Sequence, residues 1–181
     1  AIFKVTSPAA TGAGYLTGTN GLNKLGDGGV WMGSTEYYQG NTYLDGGICY
    51  MRTYSGTTDK SPFGNGGTST ICMQNGAGIV ASVPASGTSV ILPSGYTLSL
   101  GSTGGGMLGA SNDLTFQAQA AISGSGPLTI GGLPGTVELS NGANNYSGGT
   151  TISQGKLRAL HNNALGTGAV TISAVSGNQL I

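Results

Sequence analysis

Between residues 127 and 158 the chain reads PLTIGGLPGTVELSNGANNYSGGTTISQGKLR. Within it the runs Pro127-Leu128-Thr129-Ile130, Thr136-Val137-Glu138-Leu139, Thr150-Thr151-Ile152 and Lys156-Leu157-Arg158 are separated by corners of Gly, Asn and Ser. In each run apolar residues alternate with Thr or charged residues. That period of two places one set of side chains inside and the other outside, which is the signature of a half-buried strand. Corners such as Asn141-Gly142 and Gly148-Gly149 supply the backbone freedom that a sharp bend requires. Strands of only three to five residues cannot each bury a face against a wide open sheet. They can wind so that every turn stacks on the last, as in a parallel β-helix.

The same device extends outward in both directions. Upstream lie Ser89-Val90-Ile91-Leu92, Tyr96-Thr97-Leu98-Ser99-Leu100 and Leu114-Thr115-Phe116, and downstream Ala169-Val170-Thr171-Ile172. At roughly 20 residues per turn and about 4.8 Å between strands, the expectation is about nine turns and a rod on the order of 40 Å long. A sandwich or jelly roll is the competing all-β answer, but its strands usually run nearer ~5–6 residues and close through hairpins.

Composition agrees with turns and strands. Of 181 residues, 36 are Gly and only 12 are charged, so amphipathic surface helices have little to be built from. Six basic residues balance six acidic ones, which removes the long-range attraction that nucleic acid or an anionic membrane would use. No stretch is apolar enough for a bilayer-spanning helix, so neither nucleic acid nor membrane insertion is expected. The chain opens on Ala1 rather than Met, which reads as a processed, exported product.

A repeat is visible within the chain. Tyr38-Gln39-Gly40-Asn41-Thr42 lies over Tyr146-Ser147-Gly148-Gly149-Thr150 with an offset of 108, and the match continues to Cys49 and Leu157. Further on, Ser61-Pro62-Phe63-Gly64 resembles Asn163-Ala164-Leu165-Gly166. One supersecondary unit occurs twice.

The stretch from Ile122 to Ser173, with its core NNYSGGTTIS followed by ALGTGAVTIS, closely resembles the autotransporter-associated β-strand repeat of secreted bacterial passenger domains. The resemblance implies an all-β, right-handed parallel β-helix outside the bacterial cell. Residues 1–37 and the linker Arg52–Lys60 depart from the repeat. The expected organisation is therefore an irregular, aromatic-rich N-terminal segment, residues 1–37, followed by one continuous solenoid, residues 38–181.

Chemistry-bearing residues are few. Asp27, Glu36 and Asp45 are the carboxylates near enough in sequence to serve glycoside hydrolysis as a pair, but Asp27-Gly28 and Asp45-Gly46 are ordinary turn dipeptides. His161 is the sole His and lies in a polar corner, without a partner at motif spacing. Gly26-Asp27-Gly28-Gly29 is a lone, reversed fragment of a calcium-binding repeat. No catalytic residue, metal or cofactor is expected, and the chain reads as a non-enzyme. Cys49 and Cys72, about one turn apart, form either one disulfide between adjacent turns, the favoured reading, or two buried thiols. Trp31, Tyr37, Tyr38, Tyr43, Tyr50 and Tyr54 crowd into 24 residues, as a core, a subunit contact or a sugar platform.

The ends direct the functional reading. Residues 159–181 contain no Asp, Glu, Lys or Arg, and a solenoid edge without charge or cap invites another chain. Ile2, Phe3 and Val5 at one end, and Val170, Ile172, Val175, Leu180 and Ile181 at the other, are the expected subunit contacts. The expected function is a secreted structural protein that associates head to tail with itself into an extracellular filament or surface coat. An autotransporter-like passenger or adhesin fragment is the alternative, and a carbohydrate-active enzyme the second alternative. The expected partners are further copies of the chain, with cell-surface or matrix polysaccharide as an additional ligand class.

Overall fold

The computed structural model describes residues 16–32, 36–51, 62–64, 68–82, 89–173, 177 and 179–181. Among these every regular element is a strand, and every strand pairing is parallel. The chain is a parallel β-solenoid, as the alternation of residues 127–158 implies.

Three rows of strands form its walls. Row one stacks β2 (Leu22–Leu25), β5 (Thr42–Asp45), β7 (Thr70–Gln74), β10 (Thr97–Leu100) and β12 (Ala121–Gly124). Row two stacks β3 (Gly29–Met32), β6 (Ile48–Met51), β8 (Ala77–Ala81), the first parts of β11 (Gly106–Ala118) and β13 (Leu128–Leu139), then β14 (Thr150–Ile152) and β16 (Val170–Ile172). Row three stacks β9 (Ser89–Leu92), the second parts of β11 and β13, β15 (Lys156–Ala159) and β17 (Gln179–Leu180). A separate pair, β1 (Thr17–Gly18) with β4 (Tyr37–Tyr38), precedes row one in the first two laps. Because β1 to β3 pair with β4 to β6, the solenoid includes residues 17–32, which lie within the N-terminal segment that the sequence set apart.

One inward ladder measures the winding. Val30, Cys49, Ile79, Leu108, Ile130, Ile152 and Ile172 stand in register, and the five between Cys49 and Ile152 are at most 1% exposed. Six steps of about 4.8 Å give a rod of roughly 29 Å, not the nine turns expected. The reason is unequal laps. Val30 to Cys49 takes 19 residues, Cys49 to Ile79 takes 30, and Ile152 to Ile172 takes 20.

The corners decide which residues are permitted. At Gly148 an added Cβ would lie 2.2 Å from a backbone atom of Gly126, and at Gly126 it would lie 2.0 Å from the carbonyl oxygen of Gly101. Successive laps touch backbone to backbone there, so only glycine, which has no side chain, fits.

The repeat seen in the sequence is a buried staple. Tyr38 and Thr42 share a hydroxyl hydrogen bond of 2.5 Å, and Tyr146 and Thr150 one of 2.6 Å. All four residues are at most 3% exposed, and each hydroxyl satisfies the other. Gly64 and Gly166, both near φ +65, press against the backbone and rings of Tyr38 and Tyr146 respectively. The two staples occupy different walls. Thr42 opens β5 in row one, whereas Ser147 continues row one through its amide to Gly124 and Thr150 opens β14 in row two.

Candidate contact surfaces

With backbone polar groups consumed by the ladders, function falls to outward side chains and to the edges. The inward ladder that is sealed at Ile152 ends in Ile172 at 48% exposure, and Val170, Leu180 and Ile181 are also exposed. The Ile181 amide still donates to the Leu157 carbonyl, so row three keeps its ladder to the last described strand. Ile2, Phe3, Val5 and Val175, the other expected contacts, lie outside the described residues.

Cys49 and Cys72 are not brought together. Cys49 faces inward in β6 between Val30 and Ile79, while Cys72 faces outward in β7 between Tyr43 and Ser99. Both are free thiols. The expected bridge assumed that 23 residues make one lap, but the lap through Cys49 takes 30, so the two cysteines land on different walls. Burial pushes the Cys49 thiol up to about 12 and raises Cys72 as well.

The carboxylates serve the coils. Glu36 is buried and accepts the Leu16 amide. Asp45 accepts the Asn75 side-chain amide at 2.5 Å. Glu138 pairs with Arg158 at 2.6 Å across row three. His161 accepts the Asn163 amide through Nδ1 at 3.3 Å, and its ring covers Gly142. Lys24 turns inward and donates to the carbonyls of Gly26 and Gly46.

Asn144, which sequence reasoning passed over, is the most committed polar side chain. Only 5% exposed, it accepts the Ile122 amide at 2.8 Å and donates to the Ala164 carbonyl at 2.8 Å. It thereby joins the laps on either side of its own. Its signal was the first Asn of the Ala-Asn-Asn-Tyr run, two residues before the staple tyrosine.

The aromatic residues divide between core and surface. Tyr38 is buried, whereas Trp31, Tyr37 and Tyr43 are 53%, 58% and 47% exposed. Trp31 and Tyr50, paired across β3 and β6, stack at 4.3 Å and 17°.

A family model described as the passenger-associated-transport-repeat matches residues 134–159. Those residues are one lap, from the row-three part of β13 through the Tyr146 staple to β15. The chain carries an autotransporter-associated repeat. Over 140 residues, 77% of the chain, it is 30% identical to the Adhesin BmaC autotransporter of Brucella suis biovar 1 (strain 1330). The chain spans about 3% of that relative's length. No solved structure matches it. The autotransporter-associated repeat thus coincides with the structural lap, including the buried Tyr146–Thr150 pair that gives the motif its Tyr and Thr.

Proposed function

We propose that the chain is a rigid solenoid segment of a secreted or cell-surface passenger of the adhesin type, acting by contact rather than by catalysis. The observation that carries this reading is the coincidence of the passenger repeat with one lap of the parallel ladder. The similarity to an autotransporter adhesin supports it. A parallel ladder is suited to holding a surface at a fixed distance, because every backbone pair resists bending in series. Beads coated with the chain are expected to adhere to host-cell monolayers above albumin-coated beads, and an antibody against the chain should label intact cells until external protease is added. Labelling that appears only after permeabilisation would overturn the reading.

A second reading, head-to-tail self-association into a filament or coat, is favoured by the exposed Val170, Ile172, Leu180 and Ile181 edge and by the absence of charge from residues 159–181. Sedimentation velocity decides it. Association that grows with concentration and is abolished by Ile172→Asp supports it, and a monomer at every concentration refutes it.

A further inference from the structure

The outer face of row one carries a cleft of about 110 Å³ lined by Tyr43, Asp45, Cys72, Gln74, Ser99 and Gly101. Two columns of outward residues frame it. Tyr43, Cys72 and Ser99 stand in register on three successive strands, with Asp45 and Gln74 in register two residues further along. Beneath them Leu44, Met73, Leu98 and Leu100 are sealed in the core, which fixes the floor. Gly101 keeps the mouth open, since a Cβ there would come within 3.0 Å of the Gln74 Cβ. Asp45 is held by Asn75 through Oδ1.

We propose that this cleft is a subsite for one residue of a neutral glycan. The Tyr43 ring, 47% exposed, offers an apolar plane to the C–H face of a pyranose, as half-exposed tyrosines do. The Asp45 carboxylate accepts sugar hydroxyls, the Gln74 amide both donates and accepts, and the Ser99 hydroxyl does the same. Charge selects the class of sugar. The lining holds one carboxylate and no cation, so uronic or sulfated residues are repelled. A metal is a poorer occupant, because among the described residues no group of three His, Cys, Asp or Glu comes together. A peptide adding by backbone pairing needs a free strand edge, whereas the cleft lies on a face whose central strands β5, β7 and β10 are paired on both sides. The small volume, below the ~300 Å³ of typical ligand pockets, implies weak binding that a repeating glycan strengthens by multivalency. The inference names a ligand for the adhesin reading, yet it fails separately: bead adhesion can persist with the cleft empty.

The test is a ¹⁵N–¹H titration of the full chain with cellotetraose, maltotetraose and tetra-N-acetylchitotetraose as neutral probes and tetragalacturonate as the acidic one, carried to about 20 mM so as to exceed a millimolar Kd. At least one neutral probe should give saturable shifts at residues 43–45, 72–74 and 99–101. Tyr43→Ala should weaken that binding at least ~10-fold by removing the stacking plane, and Trp31→Ala should leave it unchanged. Gln74→Ala, at an exposed position, serves as a second lesion if Tyr43→Ala does not fold. Absence of saturation by any neutral probe, binding of tetragalacturonate alone, shifts centred on Trp31 and Tyr50, or undiminished binding by the cleft variants would each overturn the proposal.

Discussion

Replacing Asn144 by alanine strands two backbone groups at once. The Ile122 amide and the Ala164 carbonyl each lose a 2.8 Å partner, and both residues are fully buried. An unsatisfied buried polar group costs roughly 1–3 kcal/mol, so the pair should cost about 2–6 kcal/mol. Against a usual domain stability of ~5–15 kcal/mol that is a large fraction. With a urea m-value of about 1–3 kcal/mol/M, the midpoint should fall by at least ~0.7 M. Two probes sharpen the measurement. Far-ultraviolet circular dichroism reports on all laps, while Trp31, the sole Trp, reports on the first laps, far along the ladder from Asn144. Laps coupled only to their neighbours predict that the dichroism transition of N144A moves further than the Trp31 fluorescence transition. N144D is the second arm. One oxygen still accepts the Ile122 amide, but the other faces the Ala164 carbonyl as a buried charge, so its deficit should ease as acid protonates it. A midpoint for N144A within ~0.3 M of the parent at unchanged m would refute the claim that Asn144 ties neighbouring laps together.

Corner packing gives a paired prediction. Gly148→Val, which drives a side chain into the Gly126 backbone, should cost at least ~2–3 kcal/mol or prevent folding, whereas Gly76→Ala, at φ +68 with nothing within 4 Å, should cost only about 1 kcal/mol, both read from urea midpoints. Under native conditions iodoacetamide should modify Cys72 slowly and Cys49 not at all, with both modified after unfolding without reductant; intact mass showing a disulfide would contradict the placement of the two thiols. Alkaline pH should destabilise the fold. The buried Cys49, Tyr38 and Tyr146 groups have raised pKa values through desolvation, so the folded chain holds protons that the unfolded chain releases. Their contribution is complete below the ordinary thiol and phenol values of about 8.5 and 10 and is lost as pH rises through the raised ones, which thermal melts between neutral and strongly alkaline buffer will show.

The solenoid was legible because its evidence is local. Alternation in Thr150-Thr151-Ile152 and glycine at Gly148 report the wall and the corner without knowledge of any distant residue. The Tyr38 and Tyr146 repeat was likewise legible, and its hydroxyl partners Thr42 and Thr150 were already part of the aligned motif. Lap length was not legible. Nothing in the composition of the segment after Met51 tells whether it crosses a wall or leaves it, and that ambiguity misplaced both the number of turns and the relation of Cys49 to Cys72. Of the long strands, β13 reads in the sequence as two separate runs, Pro127–Ile130 and Thr136–Leu139, and β11 only as its Leu114–Phe116 part. In the fold Asp113, at φ +61, and Pro134 lie at bends with shifted register between rows two and three. The candidate cleft was hidden for the same reason. Tyr43, Cys72 and Ser99 are scattered along the chain and become neighbours only once the register of three laps is known.

The two tyrosine staples sit on different walls of the prism. A clasp indifferent to which side it closes allows the chain to grow or shrink by a third of a circuit, with the next corner taking up the same fastening. Such a polymer can drift in length, and can carry excursions of varied size between clasps, while its inner column stays in step. In such a solenoid that tolerance would let outward loops diversify under selection while the shaft that displays them keeps its pitch.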